Sequence, residues 1–214
     1  MQADKPAIKM VTEAGLIGKI GFNDAGVGVC LNALKARGMD ARRLPCHLAL
    51  RMVLESRSRK EAVDRLTRYG VASACHMLIA DAETGGVGME FSALGHRQLD
   101  MNGKGQVVHS NHYLMPQEGV EDSVWLKDSP YRVDRMATLV DQLQHADEES
   151  IRGLFVDEEN YPASICRKQD GESQSETLFN IVMDLKRRRA RVLLGRPIEP
   201  EEDFEMIFDH KLST

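Results

Sequence analysis

The run Cys75-His76-Met77-Leu78-Ile79-Ala80 constrains the fold of this 214-residue chain more than any other segment. It is nearly all apolar and shows no alternation of polar and apolar residues. A strand with one face in water alternates, whereas a strand covered on both faces does not. A chain holding such a strand must supply a layer on each side of it. Candidate layers flank the run. Pro45 is placed to open a helix carrying Leu48, Leu50, Met52, Val53 and Leu54. Ser58 and Glu61 have capping-box spacing ahead of Ala62, Val63, Leu66 and Tyr69, which mark one helical face. Gly85-Gly86 then turns the chain into a further apolar strand, 87–91.

The same logic extends in both directions. Upstream, Asn23-Asp24-Ala25-Gly26 is a turn signal, and Val27-Gly28-Val29-Cys30-Leu31 resumes a strand, so a tight hairpin is expected. Downstream, Asn102-Gly103 predicts a turn and 106–114 a strand. Ser129-Pro130 opens a third helix, with Val133, Met136, Leu139, Val140 and Leu143 on one side. Asp147 caps a short fourth helix. Segments 177–183, 192–194 and 204–208 read as strands. The basic run 186–191 lies between two of them and reads as a solvated hairpin end. The order is strands, two helices, strands, two helices, strands. It predicts two packed sheets with helices outside, in one domain over 1–214, since no linker or repeat interrupts it.

Charge and composition exclude several partners. A net charge of −5 gives no attraction to nucleic acid or to an anionic membrane. No apolar run approaches the roughly 20 residues a spanning helix needs. The opening Met1-Gln2-Ala3-Asp4-Lys5-Pro6 lacks the apolar core of a signal peptide. Cys30, Cys46, Cys75 and Cys166 show no pairing pattern, which points to a reducing, cytoplasmic setting.

Six segments, in order, resemble the acyl-coenzyme A:isopenicillin N acyltransferases and their bacterial relatives. They are residues 12–34 (TEAGLIGKIGFNDAGVGVCLNAL), 45–56 (PCHLALRMVLES), 109–114 (HSNHYL), 160–167 (NYPASICR), 177–185 (TLFNIVMDL) and 194–197 (LGRP). The resemblance implies an α+β fold, a four-layer αββα sandwich of the N-terminal-nucleophile hydrolase type. It implies a precursor that cuts itself before a cysteine, whose thiol then attacks an amide or thioester with its own α-amino group as base. An α-amino group suits that task because much of it is unprotonated near neutral pH. In the family that cysteine lies upstream of the segment where this chain begins. The chain is therefore expected to lack the fold's N-terminal strand or strands, and to need a separate N-terminal chain or segment for turnover. An exposed sheet edge would pair two copies as a homodimer or lower solubility. The tail Lys211-Leu212-Ser213-Thr214 is not a peroxisomal tripeptide, unlike the ending of fungal members.

The resemblance implies four site residues, and a fifth candidate, Asn32, comes from its place after the glycine hairpin. Asn111, in His109-Ser110-Asn111-His112, matches an oxyanion-hole asparagine, and a neutral amide donor suits a developing oxyanion. Arg167 matches an arginine near the nucleophile, where a fixed cation lowers a thiol pKa. Ser92 and Ser173 match serines linked to processing or acyl transfer, and Asn32 is a second oxyanion donor. The ordinary alternatives stand beside them: a strand-end asparagine bonded to backbone, a surface salt bridge, a turn serine. His109 and His112 make a poor metal pair, because side chains three apart on a strand point to opposite faces. Cys30 sits mid-strand without an adjacent base and reads as an inert thiol; Cys46-His47 and Cys75-His76 read as core or supporting positions. No cofactor or metal is expected, and acyl-CoA enters as a candidate substrate. The substrate is a small-molecule acyl donor or amide. Two functions remain open. One is an acyltransferase or amidohydrolase with its nucleophile supplied from elsewhere. The other is a non-catalytic homologue that binds acyl compounds or a partner chain.

Overall fold

The computed structural model describes residues 4–171 and 173–208. Met1 to Ala3 and the tail Lys211 to Thr214, read above for targeting signals, lie outside the described residues. The described chain divides into two compact units, residues 4–129 with 185–187, and residues 130–184 with 188–208.

The first unit is built on an antiparallel sheet whose strands follow the chain. They are β1 (Ile8–Val11), β2 (Ile20–Asn23), β3 (Val27–Ala33), β4 (Cys75–Asp81), β5 (Gly85–Ser92) and β6 (Gly95–Asp100). Between β3 and β4 run α1 (Cys46–Leu54) and α2 (Arg59–Tyr69), as the apolar periodicity predicts. Both helices pack on the sheet. Ala49, Leu50, Val53, Leu54, Ala62 and Leu66 meet Val27, Val29, Met77, Ile79, Met89 and Phe91 in one buried cluster. The non-alternating run is β4, with Cys75, His76 and Met77 buried in succession.

The helix starts depart slightly from the expectation. Pro45 is the N-cap of α1 rather than its first residue. At α2 the Ser58 hydroxyl accepts from the Glu61 amide at 3.1 Å, as a capping box requires. The Glu61 carboxylate does not complete the box; it accepts from the Arg57 amide at 2.8 Å instead. The predicted β2–β3 hairpin is present and is anchored by Asn23, which is fully buried. Its Nδ2 donates to Leu54 O (2.9 Å) and Ser56 O (2.7 Å), satisfying carbonyls at and just beyond the end of α1. Its Oδ1 accepts from the Ala25 and Val27 amides in the turn.

Two strand assignments change. Segment 106–114 is not a strand, because its amides go to side chains rather than to a ladder. The Asn111 amide donates to Ser129 Oγ, that of Tyr113 to Asp122, and that of Leu114 to Glu90. Conversely β6, with the polar sequence GHRQLD, is a strand with no strand-like composition. It exists because it pairs with β5 along its length, from Val87↔Asp100 to Ser92↔Gly95.

The second unit carries a three-stranded antiparallel sheet of β7 (Phe179–Asp184), β8 (Arg189–Leu194) and β9 (Glu202–Ile207). Helix α4 (Glu148–Leu154) packs against β7, and Asp147 caps it with a complete capping box to Ser150. Helix α3 (Ser129–Asp141) begins where Ser129-Pro130 predicts. The basic run is only partly a hairpin end. Arg189 and Arg191 lie inside β8 and pair with Glu148, and Arg191 also pairs with Asp203.

Candidate active site

Three of the five expected site residues fall within the first unit, and one of them, Asn111, bonds to the strand that carries another, Asn32. Asn32 is the penultimate residue of β3. The Asn111 side-chain Nδ2 donates to the carbonyl of the next residue, Ala33, at 3.0 Å. Asn111 is therefore held at the end of the strand that carries Asn32, and each asparagine is only partly buried. Neither placement depends on local pattern. Asn32 comes from a strand, and Asn111 from a loop held by distant side chains.

That loop is fixed from below by Glu90 on β5, which is fully buried. Its Oε1 accepts from the Leu114 amide (2.6 Å) and lies 2.8 Å from His109 Nε2; its Oε2 accepts from the Met115 amide (3.0 Å). The Tyr113 hydroxyl donates to Phe91 O at 2.6 Å. His109 stacks on His76 of β4, with ring centroids 3.5 Å apart and planes 6° from parallel. His76 Nδ1 lies 2.9 Å from Asn32 Oδ1. That bond leaves the Asn32 amide NH₂ as its donor end. Burial, together with the charge of His109, pushes the His76 imidazole down to about 2. Gly88 on β5 makes room for this ring, since a Cβ there would sit 2.7 Å from His76 Nε2.

Ser92 ends β5 and is buried. Its Oγ donates to Gln117 Oε1 at 3.0 Å and accepts from the Leu94 amide at 3.2 Å. Gln117 Nε2 in turn donates to Glu90 O at 3.3 Å. Beside the loop lies an open cavity of about 290 Å³ lined by Tyr113, Leu114, Met115, Pro116, Gln117, Val120 and Asp122. Its walls mix apolar side chains with the polar groups of Gln117 and Asp122.

Arg167 and Ser173 belong to the second unit. Arg167 is held through its backbone: its amide donates to Thr177 Oγ1 (3.0 Å), and its carbonyl accepts from Thr177 N and Arg196 Nε, both at 3.2 Å. Arg196, itself buried, is clamped by Glu158 and Glu199. Ser173 forms a turn, its amide donating to Asp170 O and its Oγ to Ser175 O.

The thiols differ. Burial raises Cys30 to about 11, in keeping with an inert strand cysteine. Burial also raises Cys166. Cys46 and Cys75 hydrogen-bond each other. The bond and Lys19 favour the Cys46 thiolate, and the same bond and burial push Cys75 up. Among the described residues no group of three or more His, Cys, Asp or Glu side chains could hold a metal ion.

Sequence reasoning missed Glu90 and undervalued both histidines. His76 read as a core or supporting position, and His109 was weighed only as a metal ligand. The available signal was a glutamate inside an apolar strand, Val87-Gly88-Met89-Glu90-Phe91, since a carboxylate is seldom fully buried unless paired.

Comparison with known proteins settles the family. The family model for acyl-coenzyme A:6-aminopenicillanic acid acyl-transferase matches residues 6–199. The chain belongs to that family. It is 42% identical over 212 residues to the acyl-coenzyme A:6-aminopenicillanic-acid-acyltransferase 40 kDa form of Emericella nidulans, covering 98% of this chain and 59% of that protein. The chain thus spans somewhat over half the length of the relative it matches. Two solved structures share the fold. A mutant conjugated bile acid hydrolase from Clostridium perfringens superposes with TM-score 0.59 at 14% identity, over 88% of this chain and 72% of that one. An N-acylethanolamine-hydrolyzing acid amidase ortholog from Caenorhabditis elegans gives 0.54 at 15% identity, over 94% and 82%. The family member thus has the α+β fold of these hydrolases, as its resemblance implied. No helix among its described residues is long and apolar enough to cross a membrane.

Proposed function

We propose that this chain is the oxyanion-stabilising and acyl-binding part of an acyltransferase or amidohydrolase acting on acyl amides or acyl thioesters. The cysteine nucleophile comes from a segment outside these 214 residues. The observation that carries the reading is the bond that holds Asn111, from a distant loop, at the end of β3, one residue beyond Asn32. A neutral amide donor held at a partly open site suits a tetrahedral oxyanion, and such a donor needs no proton to be removed first. The cavity along residues 113–122 receives the acyl group against Leu114, Met115 and Val120. Arg167, held by its backbone in the second unit, is a cation suited to binding a carboxylate. Ser92 supports the 109–117 loop through Gln117, and Ser173 belongs to the loop following Arg167.

The chemistry conserves atoms simply. The thiolate adds to the acyl carbonyl, the amine or thiol leaves with a proton, and the acyl-enzyme passes its acyl group to an amine or to water. Three of the chain's four thiols are poorly suited to the first step. Cys30, Cys75 and Cys166 are pushed up; Cys46 is the exception, lowered by its hydrogen bond with Cys75, and the labelling experiment below tests it directly.

The test compares this chain alone with a version extended by its upstream coding frame. Turnover of an acyl thioester and an acyl anilide is expected only in the extended protein, with a thiol probe labelling the added cysteine. In that protein Asn111→Ala should lower kcat by roughly 10²–10³-fold, the usual loss for one oxyanion donor. Substrate-protected labelling of Cys46 or Cys30 in the short chain would place the nucleophile within it instead. Acyl-compound binding without turnover in either form would favour the non-catalytic reading.

A further inference from the structure

Each ring nitrogen of His109 faces an acceptor. Nδ1 lies 2.8 Å from the Ser110 carbonyl oxygen, which can only accept, so Nδ1 carries hydrogen. Nε2 lies 2.8 Å from Glu90 Oε1. That same oxygen already accepts from the Leu114 amide, and Oε2 accepts from the Met115 amide. A carboxylate surrounded by N–H donors is held ionised, and Nε2 then carries hydrogen as well. Both side chains are almost wholly buried, at 1% and 0% exposure, so bulk solvent screens neither charge. A buried ion pair survives when further hydrogen bonds satisfy it, and the two backbone amides on Glu90 meet that condition.

His76 has the complementary character. Its Nδ1 faces Asn32 Oδ1 and donates to it. Its Nε2 is buried, has no hydrogen-bond partner among the described residues, and points at the space Gly88 leaves. A nitrogen so placed carries no proton, so the ring is neutral. A neutral ring lying 3.5 Å over His109 is the arrangement a cation favours, its charge held against a π-face. Two charged rings at that distance would repel strongly. Burial and the neighbouring charge keep His76 in its neutral form.

We infer that His109 is a buried imidazolium, paired with Glu90, that acts through the stacked neutral His76 to polarise and orient the Asn32 amide. The cation draws electron density from His76 and strengthens its Nδ1–H bond to Asn32 Oδ1. An amide whose oxygen accepts a stronger bond is a better donor at its NH₂ end, since linked hydrogen bonds reinforce one another in a low-dielectric interior. Glu90 and His109 would then be positioning residues twice over. They hold the Asn111 loop through the Leu114 and Met115 amides, and they tune Asn32 through His76. The last step rests on the proposed oxyanion role of Asn32; the charge state of His109 does not.

The test has two readouts. The first is ¹⁵N NMR of histidine side chains in the unmodified chain at pH 7. His109 should show both ring nitrogens protonated, and His76 one protonated and one bare. A single-proton, neutral His109 would overturn the inference, since it means a neutral pair with the proton on Glu90. The second readout is turnover of an acyl thioester by the full catalytically competent protein. Glu90→Gln should convert His109 to a neutral ring and lower kcat roughly tenfold, with KM changed less than about twofold, a part of the loss that follows removal of a whole oxyanion donor. His76→Phe, which keeps a ring in the stack but removes the donor to Asn32, should give a similar kcat loss while His109 stays charged. A charged His109 in the unmodified chain with unchanged kcat in both variants would overturn the polarising role. A charged His109 in a protein with no acyl turnover at all would sink the proposed function and, with it, the role of Asn32, while leaving the buried cation standing.

Discussion

Asn23 shows how one residue can serve two elements. All its side-chain hydrogen-bonding capacity is used: two donations to the end of α1 and two acceptances in the β2–β3 turn. The position is fully buried, so removing the amide strands carbonyls and amides that water cannot reach. Asn23→Ala should cost about 2–4 kcal/mol, more than a typical single hydrogen bond, because several buried groups lose partners together. Urea denaturation would measure it. A loss under about 0.5 kcal/mol would mean that the turn and the helix end find other partners. The sequence marked Asn23 as a turn residue, which it is. Its reach to Leu54 and Ser56, more than thirty positions away, has no local signature. Asn111 is the same lesson at the site. Its motif was recognisable, whereas its bond to Ala33 and its nearness to Asn32 were not.

At the scale of elements, the central strands of the first sheet are matched to one another by size. Gly88 on β5 pairs with Leu78 and Leu99 across the sheet, and its missing side chain is occupied by the His76 ring. Gly88→Ala would bring a methyl to 2.7 Å from His76 Nε2 and 3.2 Å from the Leu99 Cβ. The ring cannot swing away without leaving both Asn32 and the His109 stack. Overpacking of this kind commonly costs about 1–3 kcal/mol. The variant should therefore lose stability and also shift the His76 side-chain NMR signals. Wild-type stability with unshifted signals would show that the backbone accommodates the methyl and that the glycine is not what seats His76. Helices and inner strands here were legible because their apolar spacing is local. Strand β6 was not, because its polar residues join the sheet only through pairing with β5. Segment 106–114 failed in the opposite sense: its composition is strand-like, yet Glu90, Asp122 and Ser129 claim its amides before any strand can.

At the scale of the whole molecule, the buried histidine links stability to pH. The folded-state pKa of His76 lies near 2, against 6.5 for an unperturbed imidazole. Between those values the unfolded chain binds a proton that the folded chain excludes. Stability from this group is therefore fully present above about pH 6.5 and falls as pH drops through the window, by up to about 1.4 kcal/mol per pH unit. Urea midpoints measured from pH 7 to pH 5 should fall in the wild type and fall less steeply in His76→Gln. Parallel profiles would show that another group governs the acid limb. What the sequence determined alone was the alternation of strand and helix blocks, the turn at Asn23 to Gly26, the caps at Ser58 and Asp147, and a set of family motifs. Each is written in spacings of a few residues, within reach of a single helical turn or hairpin. Only the tertiary structure decided that Glu90, His76 and His109 form one buried group, that His76 faces Asn32, and that Asn111 is held at the end of β3. Those contacts join β3, β4, β5 and a loop across tens of residues. A buried carboxylate chooses its partners by where unsatisfied N–H groups end up, and that is known only once the chain has folded.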